Sequence, residues 1–199
     1  CDDQVTAENL TMMEGRFSEA LALFPKGYAF DVIGYGCTSA SLLIGEDRVK
    51  EIIRSQVDVA HVTTPLTAAK CGLAALGVEK IGYLAPYVSE ISNQMCEELG
   101  KAGFAVKVAA TFGEGRDSIV GCISSTSILE AITALIDRDP KIEAVFVSCT
   151  SLKCAPIIAR AEARFGVPIL SSNSAIAWDM ARLAQVSILA TGKGTLFLK

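Results

Sequence analysis

Short apolar runs alternate along this chain with longer segments in which apolar residues recur every three or four positions. The segments between the runs have the length and the period of amphipathic helices. Regular alternation of buried strands with covering helices is typical of a parallel sheet. The pattern therefore predicts an α/β fold, with strands at Phe30–Tyr35, Val57–Val62, Lys80–Leu84, Ala105–Ala110, Ala144–Ser148 and Val167–Leu170.

The first helical segment carries one apolar stripe. Leu10, Met13, Phe17, Leu21 and Phe24 follow each other at spacings of three or four residues. Such spacing places all five side chains on one face of a helix. We therefore expect a single helix here, with this face buried.

The composition is that of a folded protein and narrows the classes of function. Of the 199 residues, 51% are hydrophobic and 20% are charged, which excludes a disordered chain. The net charge is −4 and there is no run of Lys or Arg, so we expect neither a nucleic-acid partner nor a polybasic membrane surface. No apolar stretch approaches the roughly 20 residues that span a bilayer, so no membrane association is expected.

The seven cysteines are scattered, odd in number and mostly placed in apolar segments. A small secreted scaffold would show dense, paired spacing, so we interpret them as reduced thiols of a cytoplasmic protein. There is no Cys-x-x-Cys pair and only one histidine, His61, so no metal site is expected. His61 itself lies in an apolar run and is interpreted as a packed or surface residue rather than a catalytic one.

An internal repeat is the most informative feature of the sequence. Residues 31 to 39 align without gaps with residues 143 to 151. Each copy has an acidic residue, a run typical of a buried strand, and then Cys-Thr-Ser leading towards a helix, with the cysteines at Cys37 and Cys149. Repeated segments of this kind suggest two related lobes that face each other. Ligands of parallel α/β proteins bind beyond the carboxyl ends of the strands, where both turns are expected.

The position of these turns suggests their chemistry. A thiol at the start of a helix lies at the positive end of the helix dipole, which should lower its pKa. The hydroxyls of the Thr and Ser residues and the backbone N–H groups can hold a carboxylate. Two facing turns would hold both ends of a diacid, so that one thiolate attacks or deprotonates carbon while the other thiol supplies a proton. The alternative, that Cys37 and Cys149 are small buried hydrophobes, stays open.

At these residues the chain resembles the maleate cis–trans isomerase and arylmalonate decarboxylase branch of the aspartate/glutamate racemase superfamily. The matching stretches follow the family order from one end of the chain to the other. They are Val5–Leu10, Asp31–Ser39, Thr63–Pro65, Leu76–Gly77, Ala85–Tyr87, Phe146–Leu152, Ser171–Asn173 and Ala177–Trp178.

The resemblance implies two pseudo-symmetric Rossmann-like lobes, each a four-stranded parallel sheet flanked by helices, with the active site in the cleft between them. We assign residues 1–75 together with 171–199 to the first lobe and residues 76–170 to the second. Family members begin with a strand and a loop that supply a ligand-binding asparagine. Because this chain starts at Cys1 rather than Met, we expect that segment to precede it.

The resemblance also implies roles for individual residues. Cys37 would be the nucleophile that adds to the double bond, and Cys149 would be the second, proton-handling cysteine. The substrate carboxylates would be bound by Thr38, Ser39, Tyr87 and Thr150. The family uses no cofactor, and its members are often homo-oligomers. Ser172 and Asn173 are interpreted as caps of the following helix rather than ligand contacts.

The identity of the two turns helps to choose within the superfamily. Two-cysteine amino-acid racemases usually carry Cys-Asn-Thr at the first turn and Cys-Thr-Glu at the second. Both turns here read Cys-Thr-Ser, with no acidic residue beside either thiol, which favours a substrate without an amino group. Arylmalonate decarboxylases have glycine at the position of Cys37, so two cysteines favour isomerisation of maleate or a similar small dicarboxylate. The alternatives are a racemase of aspartate, glutamate or a hydantoin, an arylmalonate-type decarboxylase, and an inactive diacid-binding relative.

Two positions depart from the family pattern. Relatives commonly have an acidic residue or Asn followed by Val-Ala-Arg-Ile, whereas residues 117 to 123 begin with Asp117 and have Cys122 in place of the arginine. Ser174 occupies a position where glutamine is frequent.

Overall fold

A computed structural model describes residues 3–188 and 192–199 of the chain. The six strands are β1 (Phe30–Gly34), β2 (Val59–Thr63), β3 (Lys80–Ala85), β4 (Ala105–Thr111), β5 (Ala144–Val147) and β6 (Ile169–Ser171). The α-helices are α1 (Ala7–Met12), α2 (Phe17–Leu21), α3 (Thr38–Ile44), α4 (Glu46–Gln56), α5 (Pro65–Leu76), α6 (Ser89–Lys101), α7 (Asp117–Val120), α8 (Ser125–Arg138), α9 (Ile158–Phe165) and α10 (Ser172–Leu183). None of the helices in these two ranges is long and apolar enough to cross a membrane.

The strands form two parallel sheets with helices packed around them. The larger sheet has the order β4-β3-β5-β6, and its central strand β5 is buried at every position. The smaller sheet pairs β1 with β2. The predicted α/β class is confirmed, and each predicted strand agrees with the structure to within two residues at either end. The larger sheet has the four expected strands, whereas the smaller sheet has two among the described residues.

The carboxyl-terminal part of the chain is shared between the two sheets. Strand β6 pairs with β5, so the larger sheet extends to Ser171. Helix α10 then packs against α5 and against both strands of the smaller sheet. The division into lobes at residues 75 and 171 stays a prediction.

The predicted first helix is interrupted. A 3₁₀ turn at Met13–Arg16 separates α1 from α2, and it contains Gly15, which lowers the helix propensity of this segment. The break divides the apolar stripe between the two hydrophobic cores. Leu10 packs in the larger core, whereas Phe17 and Leu21 pack in the smaller one. The expected burial of the stripe is thus found, but the expectation of a continuous helix is wrong.

A buried carboxylate fixes α10 to the smaller sheet. Asp179 is 1% exposed, and its Oδ2 accepts a hydrogen bond of 2.5 Å from the hydroxyl of Thr63 at the end of β2. Its Oδ1 accepts from the guanidinium of Arg182 at 2.6 Å and 3.0 Å. Burying a charged group is tolerated only when it is paired and hydrogen-bonded in this way.

We expect Asp179→Ala to lower the free energy of unfolding by about 2–4 kcal/mol, because it leaves the buried Thr63 hydroxyl with only a long contact of 3.5 Å to the Thr64 carbonyl oxygen and Arg182 without its partner. Urea unfolding measures the difference. Glu51→Ala removes a carboxylate whose side chain is 72% exposed and paired with Arg48, and should cost less than about 1 kcal/mol. Equal losses in the two variants would contradict the tethering role of Asp179.

Candidate active site

Both Cys-Thr-Ser turns open onto one cavity of about 130 Å³. The first turn follows β1 and the second follows β5, so the cavity lies beyond the carboxyl ends of parallel strands. Its volume is below the roughly 300–1,000 Å³ of sites for drug-sized ligands, which indicates a ligand of few atoms. All six residues proposed from the sequence line it, namely Cys37, Thr38, Ser39, Tyr87, Cys149 and Thr150.

The first turn begins a helix, as expected. Cys37 is the residue before α3, and the backbone N–H groups of Ser39 and Ala40 at the start of that helix donate to its sulfur. The hydroxyl of Ser39 lies 3.8 Å from the same atom. The sulfur therefore has three donors around it that can stabilise a thiolate.

The second turn has a different geometry. Cys149 has a φ of 105°, a conformation that costs a residue other than glycine about 1–3 kcal/mol. A turn follows it, and the next helical segment starts only at Ala155–Ile157, so the expectation of a helix directly after this turn is wrong. In place of a helix terminus, the Ser151 N–H donates to the Cys149 sulfur at 3.4 Å. Backbone strain of this kind recurs at sites where a side chain must be held in one direction.

Burial dominates the acidity of both thiols. Removal from water raises the pKa of Cys37 and of Cys149, and this effect exceeds the opposing effect of the hydrogen bonds to the two sulfurs. The negative charge of Asp117 raises both pKa values further. The expected lowering by the helix dipole is therefore outweighed, and both groups rest as neutral thiols near neutral pH.

Tyr87 supplies a phenol beside the second thiol. Its side chain is 2% exposed, and its hydroxyl hydrogen-bonds the Cys149 sulfur and accepts a bond of 3.5 Å from Ser148. Burial raises the pKa of the Tyr87 phenol well above its ordinary value. Tyr87 is therefore held neutral and keeps its O–H proton as a hydrogen-bond donor.

Ser172 connects the two turns directly. Its hydroxyl oxygen accepts a hydrogen bond of 2.9 Å from the Thr38 hydroxyl and another of 3.0 Å from the Cys149 N–H. All three groups are buried. The serine at the start of α10 therefore fixes the spacing of the first turn relative to the second.

The residues interpreted as helix caps have other roles. Ser171 is the cap of α10, in a reciprocal capping box with Ser174. Asn173 donates from its side-chain amide to the carbonyl oxygen of Thr150 at 2.9 Å, so it supports the second turn. The cap therefore lies one residue before the predicted position. The sequence does not distinguish the two positions, because residues 171 to 173 all have side chains that can cap a helix.

Asp117 is the charged residue that sequence reasoning did not place in the site. It begins α7, lines the cavity, and accepts a hydrogen bond of 2.8 Å from the Ser151 hydroxyl. No acidic residue is adjacent in sequence to either thiol, as stated above. The expectation that no acidic group lies near the thiols in the folded protein is wrong. The sequence signal for this residue was its position: Asp117 begins the segment 117 to 123, in which relatives also have an acidic residue or Asn at the first position.

The other four cysteines that the structure describes lie outside the cavity wall. Cys122 is exposed, and burial raises the pKa of Cys154 to about 12, which makes that thiol unreactive. Cys71 and Cys96 are half-buried in α5 and α6. His61 lies exposed on β2. Within the described ranges, no group of three or more His, Cys, Asp or Glu side chains could hold a metal ion.

Comparison with known proteins relates this chain to one family. The family model for arylmalonate decarboxylase matches residues 12–197 of the chain. A maleate isomerase of Nocardia farcinica is 26% identical over 200 residues, which cover 96% of this chain and 78% of that protein. An arylmalonate decarboxylase of Bordetella bronchiseptica is 26% identical over 136 residues, which cover 68% of this chain and 57% of that protein.

Solved structures share the fold at lower identity. A maleate cis–trans isomerase of Nocardia farcinica, a cysteine-to-serine variant with a covalently bound succinylcysteine intermediate, superimposes with a TM-score of 0.84 at 23% identity, covering 98% of this chain and 82% of that one. The maleate isomerase of Pseudomonas putida S16, solved with maleate as a cysteine-to-alanine variant, gives a TM-score of 0.87 at 21% identity, covering 98% and 80%.

The raised thiol pKa values predict a specific pH profile of alkylation. Because only the thiolate reacts, the rate of iodoacetamide labelling at Cys37 should rise with pH. It should reach half of its maximum at a pH above the ordinary cysteine pKa of about 8.5. Mass spectrometry of the labelled peptide measures this rate, with free glutathione in the same solution as the reference thiol. Half-maximal labelling of Cys37 at a lower pH than glutathione would contradict the dominance of burial.

Proposed function

The chain belongs to the arylmalonate decarboxylase family, and from that membership we propose that it is a cofactor-independent cis–trans isomerase of maleate or of a similar small dicarboxylate. One observation carries the proposal: Cys37 and Cys149 follow different parallel strands and line the same small cavity. Decarboxylation by this family needs one proton-donating cysteine. Isomerisation by addition needs a nucleophile and a separate proton donor, and two thiols fill both roles.

The proposed reaction starts when the Cys37 thiol loses its proton to water, and the resulting thiolate adds to one alkene carbon. A carbon–sulfur bond forms, and the π electron pair moves to the adjacent carbon, which takes a proton from the Cys149 thiol. The product is a succinyl group attached to Cys37 and a thiolate at Cys149. The N–H groups of Ser39 and Ala40 favour the attacking thiolate, and the Ser151 N–H favours the thiolate that remains on Cys149.

The second half of the reaction reverses these steps in a rotated intermediate. The bond between the two central carbons is now single, so one carboxylate can turn to the opposite side. The Cys149 thiolate then removes the proton, the double bond re-forms and the carbon–sulfur bond breaks. The trans alkene leaves, Cys149 is again a thiol, and the Cys37 thiolate regains its proton from water, so no cofactor or external oxidant is required.

The hydrogen-bond donors of the cavity support binding of a carboxylate. Ser39 lies beside Cys37, and Tyr87 is a neutral phenol beside Cys149. In the proposal both donate to the substrate, while Thr38 and Thr150 shape the wall and position the two turns. The covalent succinylcysteine intermediate held by the Nocardia farcinica structure is an adduct of the same kind as the one proposed at Cys37.

The proposed chemistry requires free thiols. Every cysteine that the structure describes is free. A cytoplasmic location stays an expectation from the sequence. A homo-oligomeric state stays an expectation from the family resemblance.

Incubation of the protein with maleate should yield fumarate, and proton NMR measures its formation. Cys37→Ala should abolish the product because no nucleophile remains, and Cys149→Ser should lower the rate by at least about a hundredfold because a serine hydroxyl is a much weaker acid than a thiol. Cys122→Ser, at an exposed position outside the cavity, should leave the rate unchanged. Fumarate formation by Cys37→Ala at the wild-type rate would overturn the proposal.

Cys149→Ser should also accumulate the intermediate. Without the second thiolate, the proton on the adduct is removed slowly, so the succinyl group stays attached to Cys37. Mass spectrometry of the intact protein should then show an added mass of one maleic acid, located by peptide mapping at Cys37. An adduct at Cys149 in the Cys37→Ala variant, together with no adduct at Cys37 in the Cys149→Ser variant, would reverse the two proposed roles.

A further inference from the structure

Three buried hydroxyls extend from the interior of the larger sheet to the second cysteine. They belong to Tyr83 on β3, Ser148 directly after β5, and Tyr87 beyond the end of β3, and we call them the hydroxyl series. Tyr83 and Ser148 are fully buried, and Tyr87 is nearly so. Because buried hydroxyls are almost always hydrogen-bonded, the partners of these three groups must lie within the protein.

The sheet brings the members of the series to one face. Tyr83 is paired with Phe146 across β3 and β5, and Ser148 continues that ladder by donating its N–H to the carbonyl oxygen of Leu84 at 2.8 Å. Because side chains alternate along a strand, Ser148 points to the same face as Phe146. Its hydroxyl lies 3.5 Å from that of Tyr87 and also lies beside that of Tyr83.

The direction of the series follows from the protons that each hydroxyl has to donate. Ser148 donates to the Tyr87 oxygen, so its single proton is used and it accepts from Tyr83. The Tyr83 hydroxyl has no hydrogen-bond partner of ordinary geometry among the described residues, and the Ser148 oxygen is the acceptor beside it. The Tyr87 proton is thus left for an acceptor in the cavity. That acceptor is the Cys149 sulfur in the free protein and a carboxylate when a substrate is bound.

Packing alone does not account for the hydroxyl of Tyr83. Its ring lies against that of Phe146, with 6.1 Å between the ring centroids. A phenylalanine would fill the same space without the cost of burying a hydroxyl that lacks a close partner. Polar groups of this kind occur at functional sites, where they serve the reaction rather than the stability of the fold.

We propose that Tyr83 and Ser148 are positioning residues of the reaction, which act on Cys149 through the Tyr87 hydroxyl. This inference rests on the proposed function and deepens it. Each hydrogen bond polarises the next, so Tyr83 and Ser148 make Tyr87 a stronger donor. The effect is greatest once Cys149 has given its proton to the adduct, because hydrogen bonds to a charged acceptor are the strongest.

Other titratable groups lie near the hydroxyl series without being part of it. Cys96 on α6 lies near Tyr83, and burial raises the pKa of this thiol to about 11, so it is neutral near neutral pH. Cys37 and Asp117 lie near the cavity end of the series. Helix α8 and strand β4 contact β3, and their charged side chains are all exposed: Lys107, Glu130, Asp137 and Arg138. None of these groups is removed by a substitution within the series.

The test measures the pH profile of Cys149 alkylation by iodoacetamide in the Cys37→Ala background, where one cavity thiol remains. Tyr83→Phe and Ser148→Ala should each raise the pH of half-maximal labelling by about half a unit, because the Cys149 thiolate loses stabilisation. Accessibility changes the rate equally at every pH and leaves this midpoint unchanged. Tyr28→Phe removes the same hydroxyl from an exposed position and should not move the midpoint.

Turnover and stability provide two further measurements. In proteins that retain Cys37, Tyr83→Phe should lower the rate of fumarate formation about threefold, because Cys149 releases its proton less readily. The urea midpoint of Tyr83→Phe should equal or exceed that of the wild type, because a buried hydroxyl without a close partner is removed. A lower urea midpoint together with an unchanged labelling midpoint would assign the hydroxyl to packing and overturn the inference.

A double-mutant cycle tests whether the effect passes through Tyr87. Tyr87→Phe removes the hydroxyl beside the sulfur, so adding Tyr83→Phe should move the labelling midpoint no further. A shift by Tyr83→Phe of the same size with and without the Tyr87 hydroxyl, or no shift in either case, would overturn the inference.

Failure of this inference is separable from failure of the proposed function. Isomerisation of maleate at the wild-type rate by Tyr83→Phe, with an unmoved labelling midpoint, would retain the function and reject the positioning role. A midpoint shift that depends on Tyr87, in a protein that isomerises no maleate, would retain the action of the hydroxyl series on Cys149 and reject the isomerase.

Discussion

The hydroxyl of Ser172 is the contact on which the geometry of the site depends. It accepts from Thr38 at the start of α3 and from the backbone of Cys149, so one oxygen atom fixes both cysteine turns. The repeat in the sequence supplies two similar turns, but similarity alone does not set their spacing. A third segment, at the junction of β6 and α10, provides the reference for both. Thr150 adds a second connection through the carbonyl oxygen of Gly36.

Burial gives this site selectivity at the expense of resting reactivity. Both thiols are removed from water, and the loss of hydration raises their pKa values more than the adjacent N–H groups lower them. A thiol that is neutral at rest resists oxidation and adventitious alkylation, because both reactions need the thiolate. The same low-polarity surroundings strengthen each charge interaction that a bound ligand makes. Reactivity therefore depends on what occupies the cavity.

The sequence was sufficient to predict the features that depend on local pattern. Apolar periodicity placed all six strands, and the repeated Cys-Thr-Ser segment identified two strand ends whose side chains line one cavity. Features that depend on tertiary contacts were not accessible. The positive φ of Cys149, the bridging role of Ser172 and the position of Asp117 all follow from segments distant in sequence. The break at Gly15 was missed because the apolar stripe continues across it with unchanged spacing.

The charge of Asp117 acts on both thiols at once. Because this carboxylate raises the pKa of Cys37 and of Cys149, a substitution that removes its charge should lower both values. Asp117 also accepts a hydrogen bond from the Ser151 hydroxyl, and the N–H of the same serine donates to the Cys149 sulfur. The acidity of the two cysteines therefore depends on a carboxylate from a third segment of the chain, the start of α7.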